Sequence, residues 1–323
     1  MGILATIAMA AAIQSAIPPQ TVRANIDAPG PAGPLQGTLL SPAQRDVQVI
    51  LIVPGSGPTD RNGNGPNGLQ ASMYRLLADG FLSRGIASVR IDKRGMYGSA
   101  SAVPDADDVT LDDYAADVHS WVMTIRKRTG VACVWVLGHS EGGLVTLVAA
   151  QHTADICGLI LLSTAGRPLG KVLREQLRSN SANAPILDNA MSVLDALEAG
   201  QTVDATKIDP SLMPLFRPRV QRFLMSELAV DPTTLLAGYR KPVLIVQGLQ
   251  DLQVGPGDAQ LLKHADPRAE LVLVASANHV FKAVRTRDRK DNVAAYSDPN
   301  RPLADHVIEV ISTFVQNSAA AQR

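Results

Sequence analysis

The sequence predicts an α/β protein with a doubly wound, mostly parallel sheet and a helical cap inserted into it. Short runs rich in Val, Ile and Leu lie at residues 47–53, 86–91, 131–137, 157–163, 242–248 and 270–275. Such continuous apolar runs are typical of strands buried on both faces of a parallel sheet. Amphipathic helical patterns separate the runs, and this alternation indicates a doubly wound sheet. One long stretch without a strand pattern indicates the cap.

Helices and an edge hairpin complete the predicted core. Apolar residues recur at helical spacing between 111 and 125, with Asp112 and Asp113 in the first turn, where acidic side chains favour a helix. The same spacing recurs between 303 and 315. The segment from Val22 to Leu40 has prolines and glycines between two apolar pieces, and we interpret it as an antiparallel hairpin at one edge of the sheet.

The stretch between residues 165 and 239 contains no strand-like run. Prolines separate three successive helical patterns, which lie at 169–177, 187–197 and 220–228. A helical insertion between two strands predicts a cap over the edge of the sheet, and residues 21–164 and 240–323 then form the core. The alternative is a long helical connection that does not act as a lid.

Residues 1–20 are predicted to be a signal peptide or a disordered start. The apolar run ILATIAMAAAI, at 3–13, has about the length of a signal-peptide core and is too short to span a bilayer. Small residues at Ala10 and Ala12 suit cleavage, but no Lys or Arg precedes the run. We therefore expect a periplasmic or secreted protein, with the cytoplasm as the alternative.

Composition limits the partners and cofactors. The chain of 323 residues has 30 Lys and Arg against 30 Asp and Glu, so no overall field attracts nucleic acid or anionic lipid. Nothing after residue 20 is apolar enough for stable membrane insertion. Two cysteines, Cys133 and Cys157, are too few for a disulfide framework or a cysteine-rich zinc site. We expect two buried thiols, because adjacent parallel strands rarely give the geometry of a bridge. We expect no cofactor and no metal.

The strongest motif is VWVLGHSEGG, in which Gly138 to Gly142 form the pattern G-x-S-x-G between a predicted strand and an apolar helix. A serine in this context lies on a sharp turn that projects its hydroxyl, and the flanking glycines leave room for that turn. The motif therefore predicts that Ser140 is a nucleophile.

A serine nucleophile needs a base, and the base needs an acid that orients it. With this turn, the order along the chain is serine, acid, histidine. His279 follows the predicted strand at 270–275, at the sheet edge where catalytic groups meet. His264 and His306 lie within helical patterns, so His279 is the predicted base.

The acid is predicted from the preceding strand. Asp251 comes directly after the apolar run at 242–248, at the same edge of the sheet as the predicted base. Asp258 opens a helical pattern, and we interpret it as a first-turn charge. Asp251 is therefore the predicted acid.

The glycine-rich loop GSGPTDRNGNGPNG permits three interpretations. A dinucleotide site requires its glycines in the turn directly between strand and helix, and a calcium loop from Asp60 requires a carboxylate where Ala71 stands. Neither requirement is met. A loop at the end of a strand can instead donate backbone N–H groups to an oxyanion. We predict that the N–H groups of Ser56 and Glu141 form this oxyanion hole, with Gly57 as the rival of Ser56.

With these motifs in place, the loop GSGPTDRNGN and the segment IDKRG (91–95) resemble those of capped bacterial carboxylesterases of the α/β-hydrolase superfamily. The resemblance extends from about Arg23 to the C-terminus. It implies a catalytic triad and an oxyanion hole at the residues already predicted, which are Ser140, Asp251, His279, Ser56 and Glu141. Asp92 and Arg94 in IDKRG are interpreted as a structural pair.

The predicted function is a serine carboxylesterase that hydrolyses small acyl esters through an acyl-enzyme on Ser140. An acyl-coenzyme A thioesterase would use the same groups, but basic and acidic residues balance in the cap, which does not favour a phosphate site. A capped serine peptidase would need an acidic anchor for a free amine, and Glu175 and Glu227 are the candidates. An inactive binding protein of this fold would not need the triad. Acyl group, alcohol and oligomeric state are left open.

Overall fold

The computed structural model describes residues 21–44, 46–152 and 154–321, which form an eight-stranded sheet. The strands are β1 (Thr21–Ala28), β2 (Leu35–Pro42), β3 (Val49–Val53), β4 (Ala87–Ile91), β5 (Val134–His139), β6 (Ile156–Leu162), β7 (Val243–Gly248) and β8 (Glu270–Val274). Their order across the sheet is β1-β2-β4-β3-β5-β6-β7-β8. The predicted signal peptide or disordered start, residues 1–20, lies outside the described residues.

The sheet has the doubly wound, mostly parallel arrangement that the sequence predicts. Strands β3 to β8 pair in parallel, while β1 and β2 form an antiparallel hairpin at one edge and join β4 antiparallel. Every residue of β3 to β7 is buried. Burial on both faces explains why most of these residues are apolar. The exceptions are Ser88 and Arg90 in β4, His139 at the end of β5 and Gln247 in β7.

The helices are α1 (Met73–Ser83), α2 (Leu111–Thr129), α3 (Glu141–Ala149), α4 (Leu169–Ser179), α5 (Leu187–Glu198), α6 (Met213–Phe216), α7 (Pro218–Leu228), α8 (Pro232–Gly238), α9 (Pro256–Ala265), α10 (Arg289–Ala294) and α11 (Val307–Ala321). Helices α2, α3, α8 and α9 pack on one face of the sheet and α1 and α11 on the other. In α2, Thr110 and Asp113 form a capping box, which agrees with the predicted acidic first turn. Within the described residues, no helix combines the length and the hydropathy needed to cross a bilayer.

The chain between β6 and β7 carries α4 to α8. Helices α4, α5 and α7 occupy the three predicted helical patterns, and apolar side chains around Leu194, Phe216 and Leu224 form a cluster of their own. Helix α8 differs, because Leu236 packs in the core on the sheet. We call α4 to α7, residues 169–228, the cap helices.

Cys133 and Cys157 form a disulfide, so the prediction of two thiols is wrong. The cause is an irregularity in the pairing of β5 with β6. Val134 pairs with Ile156 and Trp135 with Gly158, so the register shifts by one residue at Cys157. The two cysteine Cα atoms are therefore 5.2 Å apart, within the range that a bridge requires.

Replacing both cysteines with serine is expected to lower the free energy of unfolding by about 3 kcal/mol, because the bridge restricts the unfolded chain over a loop of 24 residues. Urea unfolding of oxidised wild type, reduced wild type and the double variant measures this effect. Reduced wild type and the double variant should share one midpoint, below that of the oxidised protein. Two free thiols in the unfolded, unreduced wild type would contradict the bridge.

Candidate active site

Ser140 occupies the sharp turn between β5 and α3. Its backbone has φ 55° and ψ −122°, a strained conformation for a residue with a side chain. A Cβ at Gly138 would lie 2.3 Å from the carbonyl oxygen of Gly142, and a Cβ at Gly142 would lie 2.5 Å from that of Pro54. Both positions therefore require glycine, for the reason that the sequence motif suggests.

His279 and Asp251 follow β8 and β7, and the fold brings them together. Nδ1 of His279 lies 2.8 Å from Oδ2 of Asp251, and both side chains are buried. Ser140 and His279 line one cavity of about 150 Å³, which we call the histidine-side cavity. The three residues predicted from separate segments of the sequence thus lie around one point at the carboxyl edge of the sheet.

Asp251 is held by its own loop. Its Oδ1 accepts hydrogen bonds from the N–H groups of Gln253, at 2.7 Å, and Val254, at 3.0 Å. Burial by itself would raise the pKa of this carboxyl, but His279 and the hydrogen bonds lower it to about 2. The ionised carboxylate accepts a hydrogen bond from Nδ1–H of His279, which leaves Nε2 available to take a proton.

The residues not chosen from the sequence lie elsewhere. Asp258 is in the first turn of α9, where its carboxylate lies 2.9 Å from the guanidinium of Arg167. His264 is in the last turn of the same helix. His306 precedes α11 and contacts Glu309 at the surface. These positions agree with a structural interpretation of all three.

Ser56 belongs to the loop after β3, and Glu141 is the first residue of α3. Ser56 lines the histidine-side cavity and a second pocket that also contains Ser140, whereas Gly57 lines a neighbouring chamber. The N–H of Glu141 lies in the first turn of a helix, where N–H groups have no intrahelical acceptor. Ser56 and Glu141 therefore each line a pocket that contains Ser140, whereas Gly57 does not, and the oxyanion hole stays a prediction.

The rest of the glycine-rich loop is fixed by its own polar residues. Oδ1 of Asp60 accepts hydrogen bonds from the N–H groups of Asn62 and Asn64, each at 2.8 Å. The side-chain oxygen of Asn62 in turn accepts from Arg90 on β4 at 2.5 Å. The polar residues of this loop therefore hold its backbone in place.

Asp92 and Arg94 do not pair with each other, which corrects the prediction. Asp92 binds the guanidinium of Arg61 at 2.5 Å. Arg94 binds two carboxylates of α2, Asp117 at 2.7 Å and Asp113 at 2.9 Å. Arg61 lies in the loop after β3, and Asp113 and Asp117 lie on α2, so each side chain has a partner that is distant in sequence.

A buried chain of hydrogen bonds that the sequence did not predict joins the oxyanion loop to His279. The hydroxyl of Tyr74 accepts from the N–H of Gly55 at 2.9 Å and lies 2.9 Å from Nδ1 of His139. Nε2 of His139 lies 2.9 Å from the carbonyl oxygen of His279. Burial, with His279 nearby, lowers the pKa of His139 to about 3, so this ring is neutral and has one N–H.

The single N–H of His139 must be on Nε2, because the carbonyl oxygen of His279 can only accept. Tyr74 then donates to Nδ1, and every donor in the chain has an acceptor. The chain therefore couples the position of the oxyanion loop to that of the predicted base. Its only trace in the sequence is the histidine that precedes Ser140 in the motif.

Two larger cavities lie on the side of the cap helices, and Ser140 lines the inner one. The inner pocket, about 270 Å³, contains Ser140 and is lined largely by apolar side chains that include Leu169, Val172, Leu173, Leu215, Phe223 and Leu224. The outer chamber, about 1000 Å³, shares Glu141, Leu215, Phe223 and Leu224 with it. The cap helices therefore form a wall of the space beside Ser140.

Comparison with known proteins places this site in a family. The model of the family described as serine aminopeptidase, S33, matches residues 68–281, which include Ser140, Asp251 and His279. Esterase EstD of Thermotoga maritima is 28% identical over 240 residues, which are 72% of this chain and 54% of EstD. The chain thus spans about half the length of this relative.

Solved structures agree on the fold. The α/β hydrolase GrgF from Penicillium sp. sh18 has a TM-score of 0.61 at 17% identity, covering 93% of this chain and 99% of that one. Est1E from Butyrivibrio proteoclasticus, solved with ferulic acid bound, has a TM-score of 0.56 at 18% identity, covering 92% and 98%. Because the family model matches well over half of its residues and the fold agrees, the chain belongs to the S33 serine aminopeptidase family of α/β hydrolases.

Proposed function

We propose that the protein is a serine carboxylesterase that hydrolyses esters of small acyl groups through an acyl-enzyme on Ser140. The main support is the 2.8 Å contact between His279 and Asp251 beside a cavity that Ser140 also lines. A serine in a strained turn, an imidazole and a buried carboxylate are the groups that acyl transfer requires. The relative EstD, which is named an esterase, adds support.

In the acylation step, Nε2 of His279 takes the proton of Ser140 while Oγ attacks the carbonyl carbon of the ester. The carbonyl oxygen becomes an oxyanion, which the N–H groups of Ser56 and Glu141 stabilise. Asp251 stabilises the imidazolium. The imidazolium then gives its proton to the departing oxygen, the bond from the acyl carbon to that oxygen breaks, and the alcohol leaves.

Deacylation repeats these events with water. Nε2 of His279 takes a proton from water as the water oxygen attacks the acyl carbon. The bond to Oγ breaks, the imidazolium returns its proton to Ser140, and the carboxylic acid is released.

A second candidate is aminopeptidase activity, which the family description suggests. Its substrate would present a free amine to an acidic anchor. Glu175 does not suit this role, because it pairs with Arg167 near the surface. Glu227 is buried and lines the inner pocket, and it is the observation that favours this candidate. A thioesterase would use the same catalytic groups, so only assays with thioester and ester substrates distinguish the two activities.

A series of p-nitrophenyl esters of increasing acyl length tests the proposal. Each methylene buried in the inner pocket contributes about 0.8 kcal/mol, roughly a fourfold gain in kcat/KM, until the pocket is full. We expect kcat/KM to rise and then fall, with its maximum at roughly two to six acyl carbons. The substitution Val172→Phe, which narrows the pocket, should move this maximum to shorter chains.

A steady rise to twelve or more carbons would mean that the pocket is the open groove of a lipase. Hydrolysis of acyl-coenzyme A thioesters or aminoacyl amides, with no ester turnover, would replace the esterase proposal.

A further inference from the structure

A cluster of polar side chains lies where the inner pocket meets the outer chamber. Oε1 of Glu141, the residue after Ser140, lies 3.2 Å from Nζ of Lys93. Nζ of Lys93 also donates to the carbonyl oxygen of Gly55 at 2.8 Å and lies 5.3 Å from the centre of the Tyr114 ring. Both charged side chains are almost fully buried. The charge of Glu141 is therefore balanced by Lys93 inside the protein.

Glu227 on α7 faces the same place from the cap. It is 5% exposed and lines the inner pocket together with Ser140 and Glu141. No hydrogen bond or ion pair joins its carboxyl to another residue in 21–44, 46–152 or 154–321. Burial, and then the charge of Glu141, raise the pKa of Glu227 well above its ordinary value.

Tyr114 on α2 reaches the same junction from the outer chamber, which shares Glu141 with the inner pocket. It is 5% exposed and lines the outer chamber with Lys93 and Glu141, and its hydroxyl has no hydrogen-bond partner among the residues that the structure describes. A polar group that lines a cavity and has no protein partner is a position that a ligand can satisfy. Glu227 and Tyr114 both fit this description.

The charge balance of the cluster selects the kind of ligand. Glu141 is neutralised by Lys93, and burial favours the neutral form of Glu227, so the junction offers hydrogen bonds without a net charge. A hydroxyl group, which both donates and accepts, matches such a site. An ammonium group would need a carboxylate that remains ionised.

The position of the base shows which part of the ester reaches this cluster. His279 must deliver a proton to the departing oxygen, so the alcohol lies toward the histidine-side cavity. His279 lines neither the inner pocket nor the outer chamber. The acyl group therefore extends into the inner pocket, toward Glu227.

We propose that Glu227 and Tyr114, beside the Glu141–Lys93 pair, form a subsite for a hydroxyl group on the acyl chain of the substrate. The inference rests on the proposed esterase function and narrows its substrates to hydroxyacyl esters. A site built to bind a substrate hydroxyl discriminates strongly against the analogue that lacks it, because its own polar groups are then left unpaired.

Esters of one alcohol with butanoate, 2-, 3- and 4-hydroxybutanoate and 4-aminobutanoate test this subsite. We expect kcat/KM of the wild type to be about tenfold or more higher for at least one hydroxy isomer than for butanoate. In Glu227→Leu this ratio should fall to about one, and Glu227→Gln, whose amide still donates and accepts, should keep much of it. Tyr114→Phe, which removes only the hydroxyl, should lower the ratio without the folding risk of an apolar residue at 227.

Glu175→Leu is the matched control, because it removes another carboxylate from the cap helices, one that is exposed and paired with Arg167. It should leave every ratio unchanged. Equal rates for butanoate and all hydroxy isomers would overturn the subsite while the esterase function stands. Preference for 4-aminobutanoate would overturn it in favour of a cation site. If no ester is hydrolysed, the subsite fails together with the proposed function.

Discussion

The variant Ser140→Ala is expected to lower kcat for a short-chain ester by roughly 10³-fold or more, because no acyl-enzyme can form without Oγ. The oxyanion donors are backbone N–H groups and remain, so a small residual rate above that of water should persist. Steady-state kinetics with p-nitrophenyl butanoate measures the loss. Ser181→Ala, at an exposed serine in the chain between β6 and β7, is the control and should keep the wild-type rate.

A fluorophosphonate probe separates this prediction from a loss of folding. It should label the wild type and the control at Ser140 alone, as mapped by mass spectrometry of peptides. Labelling of another residue, or none in a protein that hydrolyses esters, would refute Ser140 as the nucleophile. An inert protein that also takes no label would favour a binding protein of this fold.

The second large effect is expected for Asp251→Asn, which should also lower kcat by roughly 10³-fold or more. The carboxylate accepts from Nδ1–H of His279 at 2.8 Å, and an asparagine can turn its NH₂ toward that nitrogen and favour the wrong tautomer. Because the pKa of Asp251 is lowered to about 2, its carboxylate remains ionised throughout the pH range of an assay. The variant therefore removes a negative charge that the wild type carries throughout that range.

Asp258→Asn is the matched control for the acid. Asp258 is buried and paired with Arg167, so its replacement is expected to lower thermal stability and leave kcat near that of the wild type. If Asp258→Asn abolishes turnover and Asp251→Asn does not, the acid has been assigned to the wrong residue.

The features that could be predicted from the sequence are those with a local physical cause. Burial on both faces makes β3 and β6 apolar throughout and leaves one polar residue each in β5 and β7, so these strands can be recognised in the sequence. Ser140 could be chosen because a close-packed turn needs glycines beside it, and Asp251 and His279 because each directly follows a strand. The bounds of β5 differ from the predicted ones. The apolar run lies at 131–137, whereas β5 begins at Val134 and ends at His139, directly before the turn at Ser140.

The features that could not be predicted depend on residues far apart in the chain. Tyr74 and His139 are 65 residues apart, and His139 and His279 are 140 apart, and no local pattern marks such contacts. The pairing of Asp92 with Arg61, in place of Arg94, has the same origin. The register shift between β5 and β6 that brings the two cysteines together depends on how the strands pair, and neither strand's sequence has a pattern that marks it.

The cap helices are built so that they can evolve separately from the sheet. Many of their apolar side chains pack on one another, and part of their boundary with the core consists of exposed ion pairs, such as Arg219 with Asp105 at 2.5 Å and Arg222 with Asp108. Exposed pairs contribute only about 0–1 kcal/mol each, so substitutions at this boundary lower the free energy of unfolding only slightly. The cap helices can therefore change during evolution and admit new substrates, while the catalytic residues at the carboxyl edge of the sheet are retained.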